Sequence, residues 1–307
     1  MGKVEKTLAD IKALKIQGAR NVAKAGVGAL VWSIEGSKAK THGRLASDVR
    51  AAAKKISRVR PTEPMLRNMV SEAEKVALGE IAAYPGKDMR VVKKRIRKAV
   101  GAHLKEVKKN VEKLWDYGAE LIPKGAVVIT HCHSSTVTGI LKRAKRKGKK
   151  FSVVACETRP RYQGRITAAE LAAAGIPVTL TVDLGVAKFM KKADIVLVGA
   201  DAITATGDLI NKVGTSAVAR LARINDVSFF SASETLKYDP LTAYGKREEI
   251  EQRDLKEVWG KPARGVKVAN PAFDVTPARY MNGYITEMGI IPPQNLADMV
   301  ARKKEVL

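Results

Sequence analysis

The sequence predicts an α/β protein in two parts, a helical domain over residues 1–120 followed by a doubly wound parallel-sheet domain over residues 121–307. Three observations carry that prediction. Up to residue 120 apolar residues recur at three- and four-residue spacing, the period of helices that bury one face. At Leu121-Ile-Pro-Lys-Gly125 a Pro/Gly punctuation breaks the pattern. Beyond it, short runs rich in β-branched residues alternate with helical patterns, which is how βαβ units and a sheet covered on both faces are written.

In the first part, Leu8, Ile11, Leu14 and Ile16 begin one helical pattern, and Val70, Ala73, Val76 and Leu78 belong to another. A long, strongly charged helix is expected over residues 89–117. In the second part, strands are expected over residues 126–131, 151–157, 178–182, 194–199 and 227–232. Neither a G-x-G-x-x-G after the first strand nor a Walker A loop is present, so the sheet is Rossmann-like without a dinucleotide fingerprint. A nicotinamide oxidoreductase is excluded on that reading.

Fifty-six Lys and Arg against 31 Asp and Glu give a formal net charge of +25. The cations concentrate in residues 91–100 and 141–150. Two readings compete: a surface for a polyanion such as RNA, or the solvated faces of amphipathic helices, since Val92, Ile96 and Val100 keep helical spacing within the first tract. Zinc-finger spacing and RNA-binding aromatic signatures are missing, which argues against a protein that reads base sequence. Two cysteines, no signal-peptide pattern and no apolar stretch of membrane-spanning length lead to the expectation of a cytoplasmic protein with no membrane contact.

The segment richest in chemistry is Ala126-Val-Val-Ile-Thr-His-Cys-His-Ser-Ser-Thr-Val137. It reads as a buried strand that delivers Cys132 to its end, with Ser134, Ser135 and Thr136 available to cap the next helix. A thiol beside a helix N-terminus is expected to have a lowered pKa, and the amides there suit an anion. Packing alone would also account for a buried cysteine. The carboxyl ends of a parallel sheet gather at one edge, where ligands bind. That edge collects His131, Cys132 and His133; Arg159, Arg161, Gln163, Gly164 and Arg165; Asp201; Asn211 and Lys212; and Lys237. Asp201 follows an apolar run, so desolvation would suit it to proton donation, although it could instead cap a following helix. The two histidines lack a readable third and fourth ligand, so no metal is expected, and no G-x-S-x-G elbow supports a serine hydrolase.

Thr130-His-Cys-His-Ser-Ser135, Glu157-Thr-Arg-Pro-Arg-Tyr-Gln-Gly164, Gly199-Ala-Asp201, Asn211-Lys-Val-Gly-Thr215, Glu234-Thr-Leu-Lys237, Asp274-Val-Thr-Pro277 and Ile285-Thr-Glu-Met-Gly289 occur in this order across the second part. Together they resemble the superfamily shared by the regulatory subunits of translation initiation factor 2B, methylthioribose-1-phosphate isomerase and archaeal ribose-1,5-bisphosphate isomerase. Ile16-Gln-Gly-Ala-Arg20 and Arg58-Val-Arg-Pro-Thr62 extend the resemblance into the helical part. The resemblance implies a catalytic pair, Cys132 and Asp201, which regulatory subunits commonly lose. It also implies a sugar-bisphosphate substrate held by the turn of Gln17, Gly18, Ala19 and Arg20, by Arg60, and by Arg159, Gln163, Gly164, Asn211, Lys212 and Lys237.

The implied reaction converts ribose 1,5-bisphosphate to ribulose 1,5-bisphosphate in nucleoside and AMP salvage. No cofactor is implied, AMP is the expected activator, and the expected assembly is a homo-oligomer, a hexamer built from dimers. The family's amino-terminal phosphate motif reads Arg-Gly-Ala, whereas this chain has Gln17-Gly18-Ala19 with Arg20 after it. That departure and Ser134-Ser135 keep one alternative, a noncatalytic subunit touching initiation factor 2 or RNA; a further alternative is methylthioribose-1-phosphate isomerase, against which the abundant cations for a second phosphate argue.

Overall fold

The computed structural model describes residues 2–244 and 250–306. The chain forms two compact units, Met1–Lys109 and Asn110–Leu307. The division falls inside the long helix, upstream of the punctuation at residue 121.

The first unit is helical: α1 (Lys3–Lys12), α2 (Ala19–Gly36), α3 (His42–Ser57), α4 (Pro64–Ala83) and the first part of α5 (Met89–Glu120). Its core is the apolar stripe that the sequence spells, including Val22, Val27 and Leu30 of α2, Leu45 and Val49 of α3, and Met65, Leu66, Met69 and Val70 of α4. Gly26 lets α2 approach α4, because a Cβ there would stand 2.3 Å from Leu66 Cδ1. The expected continuation of the first pattern to Ile16 does not occur. Leu14 takes a left-handed conformation (φ 56°) and α1 ends at Lys12, so Leu14 and Ile16 belong to the turn that leads into α2.

In the second unit the strands are β1 (Val127–Thr130), β2 (Ser152–Cys156), β3 (Val178–Thr181), β4 (Ile195–Val198), β5 (Ala202–Thr204), β6 (Leu209–Lys212), β7 (Ser228–Ala232), β8 (Tyr238–Asp239), β9 (Phe273–Thr276), β10 (Gly283–Thr286) and β11 (Gly289–Ile291). The helices are α6 (Ser135–Arg146), α7 (Gln163–Ala173), α8 (Ala187–Met190), α9 (Thr215–Ile224) and α10 (Leu296–Val306). All five expected strands form, in one sheet of order β11-β10-β7-β4-β1-β2-β3, parallel except for β11. Two apolar layers cover it, as a doubly wound sheet requires. Val128, Val153, Ile195 and Leu197 face a layer with Ile140 and Leu141 of α6 and Leu171 of α7. Their neighbours Ile129, Val154, Val196 and Val198 face a layer with Val218 and Ala219 of α9 and Leu296 of α10.

The last two strands and a second sheet, of order β8-β5-β6-β9, were not expected from the sequence. Their segments are three or four residues long at most and carry no alternation long enough to read. Tyr284, fully buried on β10, ties the two sheets by donating its O–H to the Gly207 carbonyl at 2.9 Å.

Much of the basic tract 141–150 is structural. Lys149 Nζ donates to the carbonyls of Ala119, Glu120 and Ile122 at 2.8, 2.9 and 2.9 Å, satisfying acceptors left open where α5 ends. Arg143 and Lys147 pair with Asp116 at 3.2 Å each, and Lys147 also with Glu120 at 2.7 Å. Lys142 reaches Glu170 at 2.5 Å. Replacing Lys149 with Met keeps the aliphatic stem and removes the charged donor from these carbonyls, of which only Ala119 keeps a second donor among the described residues, the Ile122 N–H at 3.3 Å. A loss of about 2 kcal/mol in urea unfolding is expected, the scale of hydrogen bonds to a charged donor; a loss below about 0.3 kcal/mol would show that solvent replaces the cap at no cost.

Candidate active site

Cys132 stands one residue beyond β1 and His131 with its backbone left-handed (φ 68°), a conformation that costs a non-glycine residue energy and is held here by neighbours. Its N–H donates to Thr158 Oγ1 at 2.9 Å, and its carbonyl accepts from Thr167 Oγ1 at 2.9 Å. Thr158 is also left-handed (φ 65°), fully buried, and donates its hydroxyl to the Cys156 carbonyl at 3.1 Å. What pins Thr158 is Asp183: its carboxylate accepts the N–H of Thr158 at 2.7 Å and of Arg159 at 2.8 Å. Three consecutive strand ends, β1, β2 and β3, are thereby laced into one cradle around the thiol.

Ser134 caps α6 as expected, its Oγ accepting the Val137 N–H at 3.4 Å. Gly199 makes room for that cap, since a Cβ there would lie 2.7 Å from Ser134 Oγ. His133 Nδ1 donates to Thr167 Oγ1 at 3.1 Å; because that hydroxyl's own proton goes to Cys132, the tautomer is fixed. His131 is buried and donates from Nε2 to the Val213 carbonyl at 2.9 Å. Its Nδ1 makes no hydrogen bond and faces Asp183 Oδ1 at 3.9 Å. Burial lowers the pKa of both rings, chiefly by desolvating the imidazolium.

The expectation for the thiol is reversed. Burial pushes Cys132 up to about 12, and the opposing pulls of the Lys212 ammonium and the His133 N–H do not overcome it. Asp201 and Asp183 add to the rise, so both carboxylates act on the sulfur electrostatically. The resting side chain at neutral pH is therefore a thiol, because desolvation of the anion outweighs the two groups that favour it.

Asp201 is half-buried and directly precedes β5, with its N–H on the Ile210 carbonyl at 2.9 Å. A strand follows it, so it caps no helix. Beside it, buried Lys237 donates to the Ala200 carbonyl at 2.5 Å. Lys212 closes β6 and lies over the Phe273 ring, 5.1 Å from its centroid. Asn211 is buried and donates to Thr215 Oγ1 at 3.1 Å. Asp274 fixes the start of α9 after Lys212 by accepting the N–H of Gly214 at 2.7 Å and of Ser216 at 3.2 Å. Glycine is required at 214, where φ is 101° and a Cβ would crowd the His131 ring at 3.1 Å.

The Arg-rich loop is more structural than its composition implied. Arg159 reaches Tyr162 Oη at 2.9 Å and the Val258 carbonyl at 3.2 Å; Arg165 pairs with Glu157 at 3.0 Å and Arg161 with Glu257 at 3.7 Å. Gly164 serves a close backbone approach, since a Cβ there would sit 1.7 Å from the Cys156 carbonyl oxygen. Gln163 keeps a buried Oε1 with no hydrogen-bond partner. Sequence reasoning missed Asp183 and Thr167 and gave Thr158 no role beyond its place in the Glu157–Gly164 motif, although together they hold the Cys132 backbone.

The remaining expected residues belong to the first unit. Gln17 Nε2 donates to the Leu14 carbonyl at 2.8 Å, Gly18 (φ 82°) precedes α2, and Ala19 and Arg20 open that helix. Arg60 pairs with Glu63 at 3.5 Å in a largely buried setting.

Among the described residues, His131, Cys156 and Asp183 bring ligand-type atoms within 4.8 Å of one another. Both Asp183 oxygens already accept backbone N–H groups, which gives this trio its place in the cradle. No helix among the described residues is long and apolar enough to cross a membrane.

Comparison with known proteins bears on this site. The chain is 39% identical over 295 residues to a ribose 1,5-bisphosphate isomerase of Pyrococcus furiosus, covering 94% of this chain and 90% of that one. Among solved structures it is similar to the translation initiation factor eIF-2B of Pyrococcus horikoshii (31% identity, TM-score 0.77, covering 95% and 98% of the two chains). It is also similar to the 5-methylthioribose 1-phosphate isomerase of the same organism (29% identity, TM-score 0.78, covering 99% and 88%). The model of the initiation factor 2 subunit family matches residues 15–293, and the chain belongs to that family.

Proposed function

We propose that this chain is an aldose–ketose isomerase that converts ribose 1,5-bisphosphate to ribulose 1,5-bisphosphate. The observation that carries the reading is a thiol and a carboxylate, Cys132 and Asp201, at one sheet edge, in a chain 39% identical over nearly its whole length to an enzyme of that name. A sugar with phosphate on its anomeric oxygen has no free aldehyde, so the ring must open as the C2 proton leaves, and two proton-transfer groups are needed.

The raised pKa sets the roles. Cys132, a thiol at rest, donates its proton to the ring oxygen as the bond from C1 to that oxygen breaks, and the Asp201 carboxylate takes the proton from C2. This leaves a phosphoenol with a double bond between C1 and C2. The C2 hydroxyl then gives up its proton as C1 gains one, which yields the ketone with no net gain or loss of atoms or electrons. Lys212 is placed to offset the negative charge that develops on the sulfur. Lys237, Asn211 and the open Gln163 Oε1 offer polar contacts to substrate oxygens. AMP as activator and a homo-oligomeric state belong to the same reading and are checked by adding AMP to the assay and by light scattering.

The deciding experiment incubates the purified chain with ribose 1,5-bisphosphate, with and without AMP, and follows ribulose 1,5-bisphosphate. Turnover is expected, with Cys132→Ser and Asp201→Asn each losing at least about a hundredfold in rate while remaining folded, the range general acid–base groups supply. Turnover of methylthioribose 1-phosphate in its place, or of neither sugar, would redirect the assignment to that isomerase or to a noncatalytic subunit.

Thr158→Val removes the acceptor for the Cys132 N–H and is expected to lower kcat about tenfold, roughly 1.4 kcal/mol, with KM within about twofold. Thr158→Ser should restore the rate; a loss confined to KM would reject a positioning role.

Alkylation of Cys132 by iodoacetamide, located by mass spectrometry, reads the thiol directly. With the pKa near 12 the thiolate fraction climbs through the whole accessible range, so the rate keeps rising from pH 7 to pH 10. Lys212→Met removes a cation that favours the thiolate and slows alkylation further. A plateau by pH 8 would mean an activated thiolate and would exchange the two proton-transfer roles.

A further inference from the structure

The charge of +25 is not accounted for by the candidate active site. In the tract at 141–150, Lys142, Arg143, Lys147 and Lys149 are consumed by carboxylates and helix-end carbonyls. The tract on α5 is different. At 100° per residue, Lys94, Lys98, Lys105, Lys108 and Lys109 fall within a sector of about 100° and span about 22 Å of helix. All five are exposed, and none is in an ion pair among the described residues. Arg90 and Arg97 lie at the margin of the same face, paired with Asp88 and Glu35 at 3.2 Å each. Between residues 90 and 109 the only other residues on that face are Val91 and Gly101, and none is acidic.

We infer that this face of α5 binds the phosphodiester backbone of a nucleic acid without reading its bases. Over about 22 Å one strand of a duplex presents about six phosphates, comparable in number to the lysines. Lysines on flexible stems neutralise phosphates as point charges, and such contacts set position and affinity without sequence information. The face has no aromatic residue on which a base could stack. A protein partner fits less well, because protein interfaces are depleted of lysine at their centres and enriched in aromatics and methionine. A membrane surface fits less well too, since Val91 is the one exposed apolar side chain here and an interfacial helix needs a continuous apolar face.

The test uses the full chain and fluorescein-labelled 20-base-pair duplexes, one of RNA and one of DNA, with anisotropy measured from 50 to 300 mM salt. Binding is expected to weaken steeply with salt. The quadruple variant Lys94→Glu, Lys98→Glu, Lys105→Glu and Lys108→Glu should bind at least tenfold more weakly, with the log–log salt slope smaller by about 3.6, since each phosphate contact contributes about 0.9. Circular dichroism checks that this variant keeps its helix content. A control with the same change in net charge, Lys188→Glu, Lys191→Glu, Lys192→Glu and Lys261→Glu on other exposed positions, should bind within about threefold of the parent. Two duplex sequences of each polymer should bind within about threefold of each other, and the tighter polymer names the source of the backbone. Equal losses in the two quadruple variants would reduce the effect to net charge and overturn the site. A tenfold preference for one base sequence would overturn backbone binding, and tighter binding of polyglutamate than of either duplex would assign the face to an acidic protein.

Discussion

The Asp183 carboxylate holds together the sheet edge that carries Cys132. Two backbone N–H groups, of Thr158 and Arg159, converge on it, and through the Thr158 hydroxyl it fixes the left-handed backbone of Cys132. A left-handed cysteine persists only where its surroundings over-determine it. Here the determinants come from three adjacent strand ends, so the thiol's position is a property of the sheet and not of its own loop. Thr167, on α7, completes the frame by binding the Cys132 carbonyl and orienting His133.

Electrostatics at this edge follow from the same packing. The packing that positions the half-buried Cys132 also desolvates its sulfur, and that outweighs the Lys212 ammonium and the His133 N–H. The half-buried Cys132 thiol sits in the field of one ammonium, Lys212, and two carboxylates, Asp201 and Asp183. Much of the surrounding charge is already committed. Arg161 and Arg165 brace the loop after β2 against carboxylates, and Arg143, Lys147 and Lys149 anchor α6 and the segment after it to the end of α5. Cations that look like ligand contacts in a sequence are here part of the scaffold, while the lysine face of α5 stays open to solvent.

By itself the sequence determined the helical first part, the five principal strands, the parallel doubly wound sheet, a hydroxyl cap for α6 among Ser134, Ser135 and Thr136, and the gathering of Cys132, Asp201 and Lys212 at one edge. These are legible because period, turn chemistry and the geometry of parallel sheets act locally or follow from chain order. Only the tertiary structure decided the rest. The short strands β5, β6 and β8 to β11 have no periodicity of their own; β5–β6 and β10–β11 are tight hairpins, and pairing of β8 with β5, β9 with β6 and β10 with β7 joins them to segments farther along the chain. The thiol's protonation state reversed because desolvation depends on what packs around the sulfur, whereas the sequence showed only the helix that follows it. The roles of Asp183, Thr158 and Gly164 were invisible for the same reason. A carboxylate 51 positions after Cys132, a hydroxyl at 26 and a missing Cβ at 32 acquire meaning only when three strand ends are brought side by side.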